Sequence, residues 1–227
     1  MSDLIDTTEM YLRTVYELEE EGVPPLRARI AERLGQSGPT VSQTVHRMER
    51  DGLLVVADDR RIELTPQGRA RATSVMRKHR LAEVLLTEMI GLPWELVHDE
   101  ACRWEHVISD AVEARLAEIL DNPERSPYGN PIPARGAGGV PPGPADGGVT
   151  VLSDVVARSG PTTVVVERIN EVAQADPELI ALLHAAGVHP GASVVASREG
   201  GRLLLEASGG TYTLEPEVAH CLFVRTF

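Results

Sequence analysis

The sequence holds only two cysteines in 227 residues, far apart at positions 102 and 221. That usage speaks against a disulfide scaffold and fits a reduced, cytoplasmic chain. No apolar run approaches the roughly 18–20 residues that a bilayer span needs. The opening stretch MSDLIDTTEM lacks both the basic region and the apolar core of a signal peptide. Positive charge is short as well. The net charge is −12, which taken alone argues against a nucleic-acid partner. Its distribution argues the other way, because residues 26–80 carry twelve Arg or Lys against six Asp or Glu. A basic segment on an acidic protein can still hold phosphates locally. The length allows a sizeable core and more than one domain.

Residues 3–21 have the spacing of an amphipathic helix, with Leu4, Tyr11, Leu12, Val15 and Leu18 on one face. PPLRARIAERLG, residues 24–35, continues with Leu26, Ile30 and Leu34 at helical spacing and Gly35 as a turn. Ser37 or a neighbour can cap a third helix over 38–50. That helix turns Val41, Val45 and Met48 inward and Thr40, Gln43, Thr44 and Arg47 outward. LLVVADDRRIEL, residues 53–64, reads as a hairpin around Asp58–Arg61. Helix, tight turn, polar-faced helix and hairpin make a winged helix-turn-helix, whose polar face suits a DNA major groove. A small helical subdomain with a solvated face would share the helix pair. The hairpin and Arg27, Arg47, Arg50 and Arg60 around it favour DNA.

Two longer helices are expected over 66–92 and 93–120, with broad apolar faces fit for a helical core or a dimer interface. Residues 126–149 are dense in Pro and Gly and read as a flexible linker. The stretch 150–227, rich in Val, Leu and Thr with Gly-rich turns, predicts a small β domain with one short helix at 176–186.

Chemistry concentrates in HDEACRWEH, residues 98–106. At 100° per residue, His98, Cys102, Glu105 and His106 fall at about 0°, 40°, −20° and 80° on a helical wheel. Ala101, Trp104, Val107, Ile108, Ala111 and Val112 form a separate apolar stripe. His79 and Glu83 make an i, i+4 pair one helix earlier. Singly, a helical His is most often structural and Cys102 could be a small buried hydrophobe. Six ligand-capable groups together point to metal. Their mixed N, O and S character suits a reversibly bound transition metal rather than structural zinc.

The sequence resembles the iron-dependent repressors of the diphtheria toxin repressor family, IdeR type. The resemblance rests on DTTEMYLRTVYELEEEG, PLRARIAERLGQSGPTVSQTV, RMERDGL, VMRKHRLAE, HDEACRWEH and SP-Y-GNPIP, and it is close over residues 1–133. Beyond residue 140 it is looser. The resemblance implies a mainly α fold with a small β part. Its domains are a winged helix-turn-helix DNA-binding domain (1–73), a helical dimerisation and metal-binding domain (74–125), a Pro/Gly-rich linker (126–149) and an SH3-like β-barrel domain (150–227). It implies a primary metal site of Met10, Cys102, Glu105 and His106, with the Cys102 carbonyl and a water. An ancillary site comprises His79, Glu83 and His98, joined by Glu171 and Gln174 from INEVAQ.

The same resemblance implies base contacts from Ser37, Pro39 and Gln43. Phosphate contacts are implied for Thr7, Arg27, Ala28, Gln36, Thr40, Ser42, Arg47, Arg50 and Arg60. The segment up to about Asp6 is expected to rearrange on metal binding, and the SH3-like domain to hold the proline-rich segment after residue 125. The function implied is that of a homodimeric, iron(II)-activated repressor on a palindromic operator, with two Fe2+ per subunit. Co2+, Ni2+, Mn2+, Zn2+ or Cd2+ could substitute in vitro. The sulfur of Met10 and Cys102 disfavours a manganese-responsive relative. A metalloenzyme is the reading from another class, but every available group is a candidate ligand and no separate base is evident. A DNA-bending protein that ignores metal is the third.

Overall fold

The computed structural model describes residues 6–141, 143, 148–158 and 160–226. The chain divides into two compact units. One holds the described residues of Met1–Ala82, Ala101–Asn122 and Ile132–Gly143, the other those of Glu83–Glu100, Pro123–Pro131 and Pro144–Phe227.

The first unit opens with α1 (Thr7–Glu20), capped by Asp6, whose carboxylate accepts from the amides of Thr8 and Glu9. Leu4 and the other residues before Asp6 in the segment expected to rearrange lie outside the described residues. α2 (Arg27–Leu34) ends on Gly35 in the left-handed conformation at φ 60°, as a C-terminal glycine should. Ser37 caps α3 (Gly38–Arg50). β1 (Leu54–Val56) pairs with β2 (Ile62–Leu64) as the expected hairpin, Leu54 opposite Leu64. Tyr11, Leu12, Val15 and Leu18 of α1 join Ile30, Val41, Val45, Met48, Leu54 and Ile62 in one core, which α4 (Pro66–Val84) closes with Ala72 and Met76. Inward residues recur every three to four positions, so each helix buries one face.

Gly68, in the first turn of α4, is where this unit has no room to spare. A Cβ there would lie 1.8 Å from the Leu53 carbonyl oxygen. Gly68→Ala is therefore expected to force backbone apart and destabilise the unit by about 3 kcal/mol. A chemical-denaturation midpoint equal to wild type would show that this packing yields more easily than the distance implies.

The first of the two long helices runs unbroken but changes its winding, and the second is interrupted. α4 passes into a π-helical segment, Leu85–Ile90, that Gly91 ends at φ 72°. The helix expected over 93–120 is two: α5 (Trp94–Trp104) and α6 (Asp110–Ile119). The break has a local cause. Ser109 adopts extended backbone and its hydroxyl accepts from the Val112 amide at 3.3 Å, starting a new helix. Val107, Val112 and Ile119 are exposed, so the stripe read across 101–112 is not one continuous buried face.

The second unit is built on an antiparallel six-stranded sheet in the order β3-β8-β4-β5-β6-β7. Its strands are β3 (Thr150–Val151), β4 (Thr162–Ile169), β5 (Ser193–Glu199), β6 (Arg202–Ala207), β7 (Gly210–Leu214) and β8 (Leu222–Thr226). Alternate residues point inward, among them Val164, Val166, Val194, Ala196, Leu203 and Leu205. The expected helix is α9 (Pro177–Ala185), capped by Asp176. α7 (Leu152–Arg158) and the single turn α8 (Glu171–Gln174) were not anticipated, being too short to show a periodicity.

Residues 126–131 depart from a loose linker. Tyr128 is fully buried, stacked on Trp94 at 4.8 Å between ring centroids, and its hydroxyl donates to the Trp94 carbonyl at 2.7 Å. Burial is what pushes the Tyr128 hydroxyl pKa up. No helix among the described residues is long and apolar enough to cross a membrane.

Candidate metal centre and nucleic-acid interface

α5 ends at Trp104, so the reading of 98–106 as a single helical stripe needs correction. The Glu105 amide still reaches the Ala101 carbonyl, but Val107 and Ile108 both fall back on Trp104, which puts His106 in a tight turn. Cys102, Glu105 and His106 belong to the first unit, Glu83 and His98 to the second.

In the first unit Glu105 is buried, and two donors share its Oε2: Arg13 Nη1 at 2.6 Å and His79 Nδ1 at 2.7 Å. A carboxylate oxygen can only accept, so His79 donates to it from Nδ1. Burial alone would raise the Glu105 pKa. Arg13 and His79 outweigh it and hold the carboxyl down to about 2. Arg13 Nη1 also donates to Cys102 Sγ at 3.2 Å, and its Nε to Glu17 at 2.6 Å. His106 meets Glu9 at 2.6 Å through Nδ1 and Glu105 Oε1 at 3.3 Å through Nε2. Burial draws the His106 pKa down, but the Glu9 hydrogen bond and the Glu105 charge prevail and keep it above the imidazole norm. Met10 is half-buried on α1, next to the Glu9 that reaches His106.

In the second unit three oxygens converge on His98 Nδ1: Gln174 Oε1 at 3.1 Å, Glu171 Oε2 at 3.4 Å and Glu83 Oε1 at 3.6 Å. All four residues are buried. Gln174 is oriented by its Nε2, which donates 2.7 Å to the Ile169 carbonyl and so leaves Oε1 to face the histidine. His79 stands one turn before Glu83 on α4. Two carboxylates, an amide oxygen and an imidazole face one another there, a donor set of the kind that a divalent cation takes. The donors of both clusters therefore fit a metal, sulfur entering only the first.

α1 holds residues that sequence reading missed. Glu9, Arg13 and Glu17 recur every four positions, a charged stripe on a helix from which only the apolar face, Thr7 and Met10 were singled out. That spacing was the available signal.

The residues expected to meet DNA lie on and around α3. Ser37, Pro39, Thr40, Ser42, Gln43, Arg47 and Arg50 are all exposed, as are Thr7, Ala28 and Arg60, while Arg27 and Gln36 are half-buried. Gln43, Thr44, His46, Arg47 and Arg50 line a shallow hollow on that face. Gln36 is engaged by the Tyr11 hydroxyl. Arg60 takes the left-handed position of the hairpin turn, φ 70°.

Comparison with known proteins decides the family. Residues 3–62 match the N-terminal DNA-binding domain of iron-dependent repressors, and residues 65–134 match their metal-binding and dimerisation domain. Residues 148–226 match the diphtheria toxin repressor SH3 domain. Along the whole length, the chain is 58% identical to the iron-dependent repressor IdeR of Mycobacterium tuberculosis, covering 99% of each. The chain belongs to the iron-dependent repressor family. The diphtheria toxin repressor of Corynebacterium diphtheriae is 55% identical, again over 99% of both chains. The crystal structure of T. acidophilum IdeR superposes with a TM-score of 0.76 at 25% identity, covering 98% of this chain and 99% of that one. As an iron-dependent repressor, the protein is a metal-responsive transcriptional repressor of iron homeostasis with DNA-binding, metal-binding and SH3-like parts.

Proposed function

We propose that the protein is an iron(II)-activated, cytoplasmic homodimer that represses iron-uptake, siderophore or storage genes from a palindromic operator. The observation that carries this reading is the grouping of half-buried Cys102 and buried Glu105 around a positive charge, with His106 3.3 Å from Glu105. Met10, Cys102, Glu105 and His106 form the primary site on this reading, and His79, Glu83, His98, Glu171 and Gln174 the ancillary one. The domains are 1–73, 74–125 and 150–227, joined by 126–149.

Met10 on α1 and Cys102, Glu105 and His106 would hold the cation, whose coordination bonds would tie the helix to the 102–106 segment. The residues do the rest. Met10 brings the DNA-binding domain to the site, while Cys102, Glu105 and His106 bring the dimer domain. Rigidity then fixes the spacing of two α3 helices across a two-fold axis. Thioether and thiolate sulfur favour iron(II), cobalt or nickel over manganese. Ser37, Pro39 and Gln43 read base edges. The arginines, with Thr7, Ala28, Gln36, Thr40 and Ser42, hold phosphates. The β domain holds Tyr128 to Pro131. Support for that comes from the Ile169 amide donating to the Tyr128 carbonyl at 2.9 Å and Asn130 Nδ2 donating to the Ile169 carbonyl at 2.8 Å.

The test is anaerobic fluorescence anisotropy on an operator-like palindrome, with iron(II) and manganese(II) titrated in parallel. Binding only with metal, and at lower iron than manganese, is expected. Equal binding with and without metal would remove the activation mechanism and leave a DNA-binding protein with another effector.

A further inference from the structure

We infer that Arg13 is an internal cation that competes with the metal for Cys102 and Glu105 and so sets the concentration at which the repressor responds. The inference rests on the primary-site reading above. Its observation is separate: one guanidinium nitrogen, Nη1, lies 2.6 Å from Glu105 Oε2, 3.2 Å from Cys102 Sγ and 3.4 Å from His79 Nδ1. A cation coordinated by the Cys102 sulfur and the Glu105 carboxylate has to displace that nitrogen. Arg13 is itself 8% exposed. Two positive charges do not share so small a volume away from water, because their repulsion is barely screened there.

The arrangement suits a displaceable cation better than a fixed strut. Arg13 has a second anchor on α1 itself, Glu17, at 2.6 Å from Nε. The guanidinium can leave Cys102 and Glu105 while keeping this i, i+4 partner. Glu17 in turn has Arg33 at 3.9 Å, so replacing Arg13 does not strand its carboxylate. In metal-free protein Arg13 also keeps two acidic ligands together without repulsion, which makes the site ready-shaped and metal-resistant at once. The response threshold is thus a property of α1 as well as of the ligands.

The experiment is an anaerobic cobalt(II) titration of the full chain, read by the sulfur-to-cobalt charge-transfer band and by calorimetry, with no DNA present. Arg13→Gln is expected to bind cobalt at least about tenfold more tightly than wild type, since each tenfold corresponds to only a modest fraction of a buried ion pair. Arg13→Lys keeps a buried cation, and with it the fold, but grips Cys102 and Glu105 less well. Its affinity falls between the other two. Equal or weaker cobalt binding by these variants, with the sulfur band intact, would overturn the inference while leaving the primary site standing. A wild-type titration with no sulfur band, unchanged by Cys102→Ser, would overturn both.

Discussion

Glu105→Gln is expected to lose metal-dependent operator binding, with cobalt or iron affinity falling about 100-fold or more, and to destabilise the metal-free protein as well. The first effect follows from the proposed ligand set, since removing a charged ligand costs more than the 10–100-fold typical of disturbing a group that merely supports one. The second follows from geometry. Glu105 is buried and accepts from both Arg13 and His79, so the neutral amide leaves a buried guanidinium short of its counter-charge. A shift from the ordinary 4.5 to about 2 corresponds to roughly 3 kcal/mol by linkage. Because the folded-state pKa is depressed, this contribution is fully present above about pH 4.5 and lost as pH falls toward 2. The gap between wild type and variant, measured by chemical denaturation with a chelator present, should therefore be widest near neutrality and narrow in acid. Metal-activated DNA binding by the variant would remove Glu105 from the site. A gap that begins to narrow below about pH 4.5 is expected, and one that stayed constant down to pH 3 or widened in acid would contradict the ion-pair account.

What the sequence reveals, and what it hides, divides along the range of the interactions involved. The winged helix was legible because its signals are local: Ser37 at a cap, Gly35 at a left-handed C-terminus, inward residues at helical spacing, and a charged turn between two short strands. The break between α5 and α6 was legible in principle, since Ser109 followed by Asp110 and Glu113 is a helix start. A continuing apolar period concealed it. The ligand-type residues announced themselves by chemistry, and their assignment to two sites came from family resemblance. Arg13 and Glu9 were hidden for a different reason: their roles depend on His79, Cys102, Glu105 and His106, residues 66 to 97 positions away. A charged stripe on α1 looks the same whether it meets solvent or a buried cluster.

Segment 126–131 shows the same limit in reverse, because Pro and Gly density suggested freedom where the chain is held. Gly129→Ala measures how tightly. Gly129 has φ 85°, and a Cβ there would stand 2.1 Å from the Glu167 carbonyl oxygen and 3.0 Å from the Arg168 Cα, both backbone atoms of β4. Neither neighbour is a flexible side chain that could swing aside. The left-handed conformation costs a non-glycine residue about 1–2 kcal/mol by itself. If the segment lifts, the burial of Tyr128 is lost too, worth roughly 2 kcal/mol for a large apolar side chain. A total loss of about 3–5 kcal/mol from the second unit is expected. The effect should also reach the second cluster. The Ile169 carbonyl accepts from both Asn130 and Gln174, so moving the segment releases a constraint on the amide that faces His98. Gly129→Ala should therefore change the emission of Trp94 and, if the proposed ancillary site holds metal, weaken binding at His98, Glu171 and Gln174, while the sulfur band expected from Cys102 persists. A variant with wild-type stability and emission would mean that residues 126–131 rest on β4 without depending on it.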